Sequence, residues 1–262
     1  MIRVVNVSKS FADRTVLHNV SAEFEQGKTN LIIGRSGSGK TVLLKSIVGL
    51  HDIDEGDIYY GDIHFNSLSF NEKKNLRQQV GMLFQGSALF DSASVEENVI
   101  YPMDMFTNLS KKEKVDRADF CLKRVGMENT NNLYPSELSG GMKKRVAIAR
   151  AIALNPSFLF CDEPNSGLDP LTSIMIDELI KEITEEYGIT TIVNTHDMNS
   201  VMGIGDKIIF IHDGRKWWEG TKEEVLTSDN AELNDFVFAS KLAKQIRYGN
   251  ANQPIRPYIS LG

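Results

Sequence analysis

A glycine-rich stretch near the N-terminus has the spacing of a phosphate-binding loop. It reads Gly-x-x-x-x-Gly-Lys-Thr over residues 34–41, follows the apolar run 31–33, and precedes a helical pattern that extends to Val48. Glycines let the backbone turn its N–H groups toward a polyphosphate, and the helix N-terminus adds partial positive charge there. A flexible linker would not be flanked by a strand and an amphipathic helix, so the stretch predicts a nucleoside triphosphate site.

Each residue of this loop has an expected part in holding the triphosphate. Lys40 is expected to bridge the β- and γ-phosphates, and the Thr41 hydroxyl is expected to bind Mg²⁺. The remaining loop positions, which would cradle the phosphates, are Gly34, Arg35, Ser36, Gly37, Ser38 and Gly39. The loop therefore predicts that a nucleoside triphosphate binds together with Mg²⁺.

Two strand ends carry polar side chains that can act on this triphosphate. The apolar run 158–161 ends in Asp162 and Glu163, and the β-branched run 190–195 leads to His196. Parallel sheets bind ligands at the carboxyl ends of their strands, and two carboxylates there are costly unless a metal or substrate compensates them. We expect Asp162 to hold the Mg²⁺ shell. Glu163, on the opposite side of the pleat, is expected to polarise the attacking water, and His196 to contact the γ-phosphate.

The elements that must position these residues alternate between strand and helix patterns. This alternation predicts an α/β fold with a mostly parallel sheet. Near the N-terminus, residues 2–7 and 20–24 alternate apolar and polar side chains, and a stretch bounded by glycines follows at 56–63. These segments predict an antiparallel sheet beside the nucleotide core. Phe11 precedes the first turn, where it would either stack on an adenine or be a core aromatic.

The middle of the chain has the signals of an inserted helical subdomain at about residues 91–150. Ser94 and Ser110 are each followed three residues later by glutamate, as in a capping box. A further helix begins after Ser139, and Pro156 prevents its continuation. The segment therefore predicts helices with an apolar face of their own.

Composition and charge limit the classes of function. The chain has 262 residues, 41% of them hydrophobic, and a net charge of −6, which argues against nucleic acid as a partner. Cys121 and Cys161 lie in apolar patterns without metal-ligand spacing. We find no signal-peptide layout at the N-terminus and no apolar run of the roughly 18–20 residues that a membrane helix needs. These observations predict a cytoplasmic protein that reaches a membrane only through a partner.

The order of the motifs resembles that of the ATP-binding-cassette (ABC) ATPases. After the phosphate loop, the stretches that carry the resemblance are Gln85, Leu138-Ser139-Gly140-Gly141-Met142, Asp162-Glu163-Pro164, residues 166–170 and His196. The resemblance covers about residues 2–226, which we expect to be the ABC ATPase domain. It implies a P-loop NTPase fold with a RecA-like core, an antiparallel β subdomain and an inserted α-helical subdomain.

The resemblance also implies roles at the bound nucleotide, with ATP and Mg²⁺ as cofactors. Gln85 would sense the γ-phosphate and Mg²⁺ and link the site to the helical subdomain. Glu163 would be the catalytic base, and His196 would clamp the γ-phosphate. Phe11 would stack on adenine, although many members of the family carry tyrosine at that position.

The signature residues imply a homodimer. Ser139 and Gly141 stand at a helix N-terminus, which is a second anion site in a chain that already has one at its phosphate loop. In the family each signature covers the ATP held by the phosphate loop of the other subunit, and Asp169 would lie on the loop that crosses between subunits. One loop and one signature per chain therefore imply a head-to-tail homodimer.

Four stretches carry a narrower resemblance. They are residues 84–92, 95–99, 142–147 and 162–170. They are similar to the ATPases of Mla (maintenance of lipid asymmetry) systems, and Met142 suits this branch although glutamine is usual in the wider family. The resemblance implies phospholipid transport between bacterial membranes and a peripheral position at the cytoplasmic face of the inner membrane. The implied partners are an integral-membrane permease, an MCE-domain protein and small accessory subunits.

Three alternatives stay open in the sequence. Leu89 and Phe90 would either line the groove that receives a permease's coupling helix or pack in the core. A second alternative, in place of a transporter subunit, is a soluble ABC ATPase without a permease, for example of the iron–sulfur assembly type. A small-molecule P-loop kinase is a rival of another class, and it would not need Ser139.

The C-terminal segment, residues 227–262, is expected to form a helix and an irregular tail. The residues that suggest an amphipathic helix are Leu233, Phe236, Val237, Leu242 and Ile246. The stretch from Gly249 to Gly262 is interrupted by prolines. It is expected either to pack on the second copy of a dimer or to be a solvated tail.

Overall fold

Ten β-strands form two sheets in residues 1–239, the part of the chain that this computed structural model describes. In chain order the strands are β1 (Ile2–Phe11), β2 (Arg14–Phe24), β3 (Thr29–Ile33), β4 (Glu55–Tyr60), β5 (Ile63–His64), β6 (Val80–Leu83), β7 (Phe158–Asp162), β8 (Thr190–Thr195), β9 (Lys207–His212) and β10 (Arg215–Gly220).

Nine α-helices accompany these strands within residues 1–239. They are α1 (Lys40–Val48), α2 (Phe70–Arg77), α3 (Val95–Phe106), α4 (Lys111–Arg124), α5 (Gly140–Ile152), α6 (Pro170–Tyr187), α7 (Met198–Ile204), α8 (Lys222–Thr227) and α9 (Ala231–Val237). The predicted capping boxes of α3 and α4 are confirmed, because Ser94 and Ser110 each pair reciprocally with the glutamate three residues later.

The smaller sheet is antiparallel, as the alternating pattern predicted. Its strand order is β2-β1-β4-β5, and Ile2 pairs with Phe24 on one side and Tyr60 on the other. Strand β1 is longer than the predicted stretch 2–7, because irregular pairing carries the ladder on to Phe11 and Arg14. This sheet packs beside the nucleotide core.

The larger sheet is mostly parallel, as predicted. Its order is β10-β9-β3-β8-β7-β6, and β10 alone of these six runs antiparallel, joined to β9 through a turn at Asp213 and Gly214. The parallel register pairs Ile33 of β3 with Thr195 of β8, and Asp162 of β7 with Asn194 of β8. The carboxyl ends of β3, β7 and β8 therefore lie side by side at one edge.

Two cores cover the two faces of the larger sheet. Ile32 faces the core formed with α1 and the antiparallel sheet, whereas Leu31 and Ile33 face the core formed with α5, α6 and α7. Alternate residues of a strand point to opposite faces, so a wholly apolar strand is what a sheet buried on both sides requires. Burial of both faces holds the strand ends in place around the nucleotide cleft.

Helices α3, α4 and α5 pack against one another and share the second of these cores. Their buried contacts include Val99, Met103, Leu122 and Val146. The sequence interval from α3 to α5 lies between β6 and β7, as expected for a helical insertion. The limits of the predicted subdomain, about residues 91–150, stay a prediction.

The C-terminal prediction is only partly within the described residues. Leu233 and Val237 of α9 are buried, and the Phe236 ring lies 5.5 Å from that of Phe210. Leu242, Ile246 and the stretch 249–262 lie outside the described residues. None of the helices in residues 1–239 is both long enough and apolar enough to cross a bilayer.

Candidate active site

The glycine-rich loop connects β3 to α1, as predicted, and close packing fixes its path. Gly34 has φ 149°, and a Cβ atom there would lie 2.2 Å from the Ile211 carbonyl oxygen. Gly39 has φ 104°, and its Cβ would lie 3.0 Å from Leu17. Glycine is therefore required at Gly34 both by this backbone contact and by its φ angle, and at Gly39 by its φ angle. The contact of Gly34 holds the loop against the end of β9.

Lys40 is folded back into this loop. Its ammonium group donates to the carbonyl oxygens of Gly34 at 2.8 Å and Arg35 at 3.1 Å, and the side chain is buried. Burial lowers the pKa of Lys40, while the carboxylates of Glu163 and Asp162 act in the opposite direction. The ammonium group thus has two neutral carbonyl oxygens as acceptors, and a negatively charged phosphate would be a stronger acceptor than either.

Thr41 and Asp162 come together at the buried end of the cleft. The Thr41 hydroxyl donates to Oδ1 of Asp162 at 3.0 Å. Oxygen atoms of this kind suit Mg²⁺, which keeps several waters and takes few protein ligands beside substrate phosphates. Within residues 1–239 no cluster of three or more His, Cys, Asp or Glu could hold a metal by itself. Thr41 and Asp162 therefore offer oxygen ligands of the kind that Mg²⁺ takes beside phosphates.

Asn194 is a residue of this site that the sequence analysis missed. Its amide donates to Oδ1 of Asp162 at 2.6 Å and to the Thr41 hydroxyl at 3.1 Å. The available signal was a single carboxamide in the otherwise β-branched run 190–195.

Glu163 and His196 lie in contact beside the loop. Nδ1 of His196 and Oε2 of Glu163 are 2.7 Å apart. The expectation that Glu163 points to the opposite side of the pleat from Asp162 is wrong. Strand β7 ends at Asp162, and Glu163 has φ 50°, so it turns out of the strand toward the cleft. Its N–H still donates to the Asn194 carbonyl at 2.8 Å.

Gln85 follows β6 and lies at the same cleft. Its side-chain amide donates to the Ser166 hydroxyl at 3.3 Å. Its backbone carbonyl accepts from the buried ammonium of Lys144 on α5. The Gln85 segment is therefore tied both to the loop after Glu163 and to the helix that follows Ser139.

Lys40, Thr41, Gln85, Glu163 and His196 line one cleft of about 560 Å³. Its lining includes Val16, Arg35, Ser36, Gly37, Gly39, Lys40, Thr41, Val42, Gln85, Glu163, His196, Phe236 and Ala239. Six of the predicted site residues lie outside this lining: Phe11, Gly34, Ser38, Ser139, Gly141 and Asp162. Gly34 and Ser38 pack against β9 and its turn, and Asp162 is buried beside Thr41. Val16, Val42, Phe236 and Ala239 line the cleft but were not predicted as site residues, because apolar side chains carry no motif.

Phe11 is not a core residue. It is 42% exposed, its ring meets the edge of His51 at 5.2 Å, and Lys9 lies over its face at 5.4 Å. The core alternative is therefore wrong. Stacking of Phe11 on adenine stays a prediction, and the ring is outside the lining of the cleft.

The signature residues lie at the exposed start of α5, outside the cleft. The Ser139 hydroxyl caps α5 by accepting from the Met142 N–H at 3.3 Å. A Cβ at Gly141 would lie 2.6 Å from the Thr172 methyl group, so α5 approaches the start of α6 closely. Within one chain, the two anion sites are thus separate.

A second, more apolar groove of about 410 Å³ lies between β6 and α3. The sequence left open whether Leu89 and Phe90 line such a groove or pack in the core, and the two residues differ in this respect. Phe90 lines the groove, is 41% exposed, and contacts the Tyr101 ring at 4.5 Å. Leu89 instead packs against the core formed with α3 to α7.

Comparison with known proteins agrees with this geometry. The family model described as ABC transporter matches residues 17–166, more than half of the chain. The methionine import ATP-binding protein MetN of Campylobacter jejuni is 38% identical over 253 residues, which cover 90% of this chain and 75% of that protein.

A second relative is named for the transport of a different substrate. The intermembrane phospholipid transport system ATP-binding protein MlaF of Haemophilus influenzae is 38% identical over 237 residues, which cover 90% of each protein. Among solved structures, the dimeric post-hydrolysis state of the ATP-binding cassette MJ0796 bound to ADP and Pi has a TM-score of 0.78 and 35% identity, covering 85% of this chain and 99% of that one.

Cassettes of this kind dimerise and pair with membrane permease subunits. The matched family model, the two relatives and the geometry of the cleft at the strand ends all indicate the same family. This chain therefore belongs to the ABC transporter family, as an ATP-binding subunit that binds ATP with Mg²⁺ and hydrolyses it.

Proposed function

We propose that the chain energises phospholipid transport between bacterial membranes, by hydrolysing ATP in a homodimer docked on an integral-membrane permease. The observation that carries the ATPase part is the convergence of Lys40, Thr41, Glu163 and His196 on one cleft. The phospholipid part is supported by the Haemophilus relative and by Met142 in the signature.

We assign the hydrolytic step to Glu163 as general base. Water attacks the γ-phosphorus, the bond to the β–γ bridging oxygen breaks, and the proton of the water passes to the Glu163 carboxylate. The 2.7 Å contact orients Glu163 and holds the His196 ring beside the cleft, where it contacts the γ-phosphate. Lys40 leaves its loop carbonyls for the β- and γ-phosphates. Mg²⁺, when bound, neutralises charge between these phosphates, and Thr41, Asp162 and Gln85 are the residues that would hold it.

We assign the cover of the γ-phosphate to a second copy of the chain. Ser139 and Gly141 present a helix N-terminus that is exposed and remote from the cleft of their own chain. A head-to-tail arrangement would place this positive end against the ATP of the partner. Asp169 caps α6 by accepting from two backbone N–H groups at 3.1 Å. In the proposed dimer it lies on the loop that crosses between the two subunits.

The apolar groove beside β6 is the proposed dock for the permease. It contains Phe84, Phe90, Tyr101 and Phe106, with Arg150 at its edge. Arg150 donates to the carbonyls of Ser87 and Ala88, so the groove is built on the segment that follows Gln85. An apolar helix bound in the groove would therefore contact the segment that follows Gln85. MCE-domain and small accessory subunits are further proposed partners.

Methionine import is a second candidate function. The Campylobacter relative, MetN, is as similar in identity as the Haemophilus relative. Both candidates use the same ATPase site, so what the assembled complex binds distinguishes them.

The test is affinity capture of the tagged chain from its own membranes in mild detergent, followed by mass spectrometry of proteins and lipids. We expect a multi-span protein and phospholipid. Phe90→Glu should remove the multi-span protein, whereas Phe120→Glu, at a comparably exposed phenylalanine on α4 outside the groove, should retain it. A complex that binds methionine without phospholipid would favour the second candidate, and capture with no membrane protein would favour a soluble ATPase.

A further inference from the structure

Asn194 is an unusual residue for the strand that carries it. Strand β8 is wholly buried, and Asn194 is 0% exposed. Its amide nitrogen is shared between Oδ1 of Asp162 at 2.6 Å and the Thr41 hydroxyl at 3.1 Å. It therefore contacts two of the three side chains proposed to hold Mg²⁺, Asp162 on β7 and Thr41 on α1.

The other end of the same amide is unsatisfied. Oδ1 of Asn194 is buried and has no hydrogen-bond partner among residues 1–239. A buried polar atom without a partner is uncommon and calls for an explanation, such as an ordered water or a ligand. Mg²⁺ bound through phosphates keeps several of its waters, so an acceptor beside its ligands has donors available once the ion binds.

A neighbouring asparagine shows what a purely structural role looks like in this sheet. Asn30 of β3 is also 0% exposed. Its amide nitrogen donates to three backbone carbonyls, and its Oδ1 accepts from the Glu25 N–H at 2.8 Å. Every partner of Asn30 is backbone, and both ends are satisfied. Asn194 differs in both respects.

We propose that Asn194 is a positioning residue of the Mg²⁺ site, which orients Asp162 and Thr41 through its amide nitrogen and offers its carbonyl oxygen to a water of the ion. This inference rests on the proposed roles of Thr41 and Asp162. Residues that orient metal ligands typically change metal affinity by about 10–100-fold when removed, so an effect of that size is expected here.

The test uses Mn²⁺ as a paramagnetic probe for Mg²⁺, with a non-hydrolysable ATP analogue. Binding of Mn²⁺ is followed by electron paramagnetic resonance in wild type, Asn194→Val and Asp162→Asn. Asn194→Val should weaken Mn²⁺ binding by about 10–100-fold. Thr191→Val is the matched control, because Thr191 is buried on the same strand but bonds Thr184 at 2.6 Å; it should leave Mn²⁺ affinity at the wild-type level.

The outcomes separate this inference from the proposed function. Wild-type Mn²⁺ affinity in Asn194→Val, with weakened affinity in Asp162→Asn, overturns the role of Asn194 alone. Wild-type affinity in Asp162→Asn overturns the proposed metal site and the inference with it. If Asn194→Val does not fold, Asn194→Leu is closer in shape and carries the same expectation, with circular dichroism used to check its fold.

Discussion

At the scale of single residues, the site depends on Glu163 being held in an unfavourable backbone conformation. A non-glycine residue at φ 50° costs on the order of 1–3 kcal/mol and persists where its surroundings determine it. Two contacts do so here: the N–H of Glu163 donates to Asn194, and the carboxylate meets His196. The conformation turns the carboxylate toward the cleft, so the strain serves the chemistry proposed for Glu163.

Replacement of Glu163 by glutamine tests its role as base. Glutamine keeps the shape but cannot accept the proton of the attacking water, so steady-state hydrolysis should fall by about 10²–10⁴-fold. ATP affinity should stay near that of wild type, because the phosphate loop is unchanged. Phosphate release and equilibrium binding measure the two effects. Turnover at the wild-type rate would rule out Glu163 as the base.

Lys40→Ala tests the phosphate contact. Loss of the ammonium group removes charge stabilisation of the γ-phosphate in the transition state, which should lower hydrolysis by at least about 10²–10³-fold and also weaken ATP binding. Lys45→Ala on the same helix is the control, since Lys45 lies in the last turn of α1. Equal ATP affinity in Lys40→Ala and wild type would contradict the assignment.

The positions of site residues were predictable from sequence where a motif restricts both type and position. Lys40 and Thr41 line the cleft, and Thr41 donates to Asp162; the roles given to these residues stay predictions. The orientation of Glu163 was not predictable, because alternation along a strand gives no information about the residue after its last ladder pair. Asn194 was missed because only the register of β8 against β7 places its amide on Asp162.

At the scale of elements, helices α6 and α7 are joined by a buried polar cluster behind the site. Asp177 of α6 is 5% exposed, and Ser200 of α7 is fully buried. The Asn165 amide, on the loop that follows Glu163, donates to the Ser200 hydroxyl at 3.1 Å. The cluster therefore ties both helices to the segment between Glu163 and Asp169.

This cluster predicts a pH-dependent stability. Burial raises the pKa of Asp177 from 3.8 to about 6, opposed by hydrogen bonds from Ser200 and Asn165 and assisted by the nearby Asp197 and Glu178. Because folding favours the protonated acid, the stability that Asp177 contributes is complete below about pH 4 and is lost as pH rises through 6.

Asp177→Asn cannot ionise, so it should not show this loss. Relative to wild type, its free energy of unfolding should be larger at pH 8 than at pH 5, by about 1 kcal/mol. Denaturant unfolding at the two pH values measures the difference. An identical difference between the two proteins at both pH values would contradict the assignment to Asp177.

The elements themselves were largely predictable from pattern. Apolar runs, capping boxes and a proline stop anticipated β7, β8, α4 and α5 with small errors at their ends. The extension of β1 to Phe11 was not anticipated, because its later part is polar and is held by irregular pairing with β2 rather than by burial.

At the scale of the whole molecule, a single chain leaves its own triphosphate site uncovered. The cleft of about 560 Å³ is lined by residues of β2, the phosphate loop, the start of α1, and α9. The segments that follow β6, β7 and β8 and the residue Ala239 complete the lining. Ser139 and Gly141 lie elsewhere, at the exposed start of α5. In the proposed assembly the positive end of α5 meets a γ-phosphate held by another copy, so the proposed catalytic unit is a dimer with two shared sites.

The most direct test of this claim is the crystal structure of Glu163→Gln with ATP and Mg²⁺. Two copies should pack head to tail, and the Ser139 hydroxyl and Gly141 N–H of each should lie within about 3.5 Å of γ-phosphate oxygens bound by Lys40 of the other. A nucleotide-loaded form in which Ser139 and Gly141 remain far from every γ-phosphate would contradict the account.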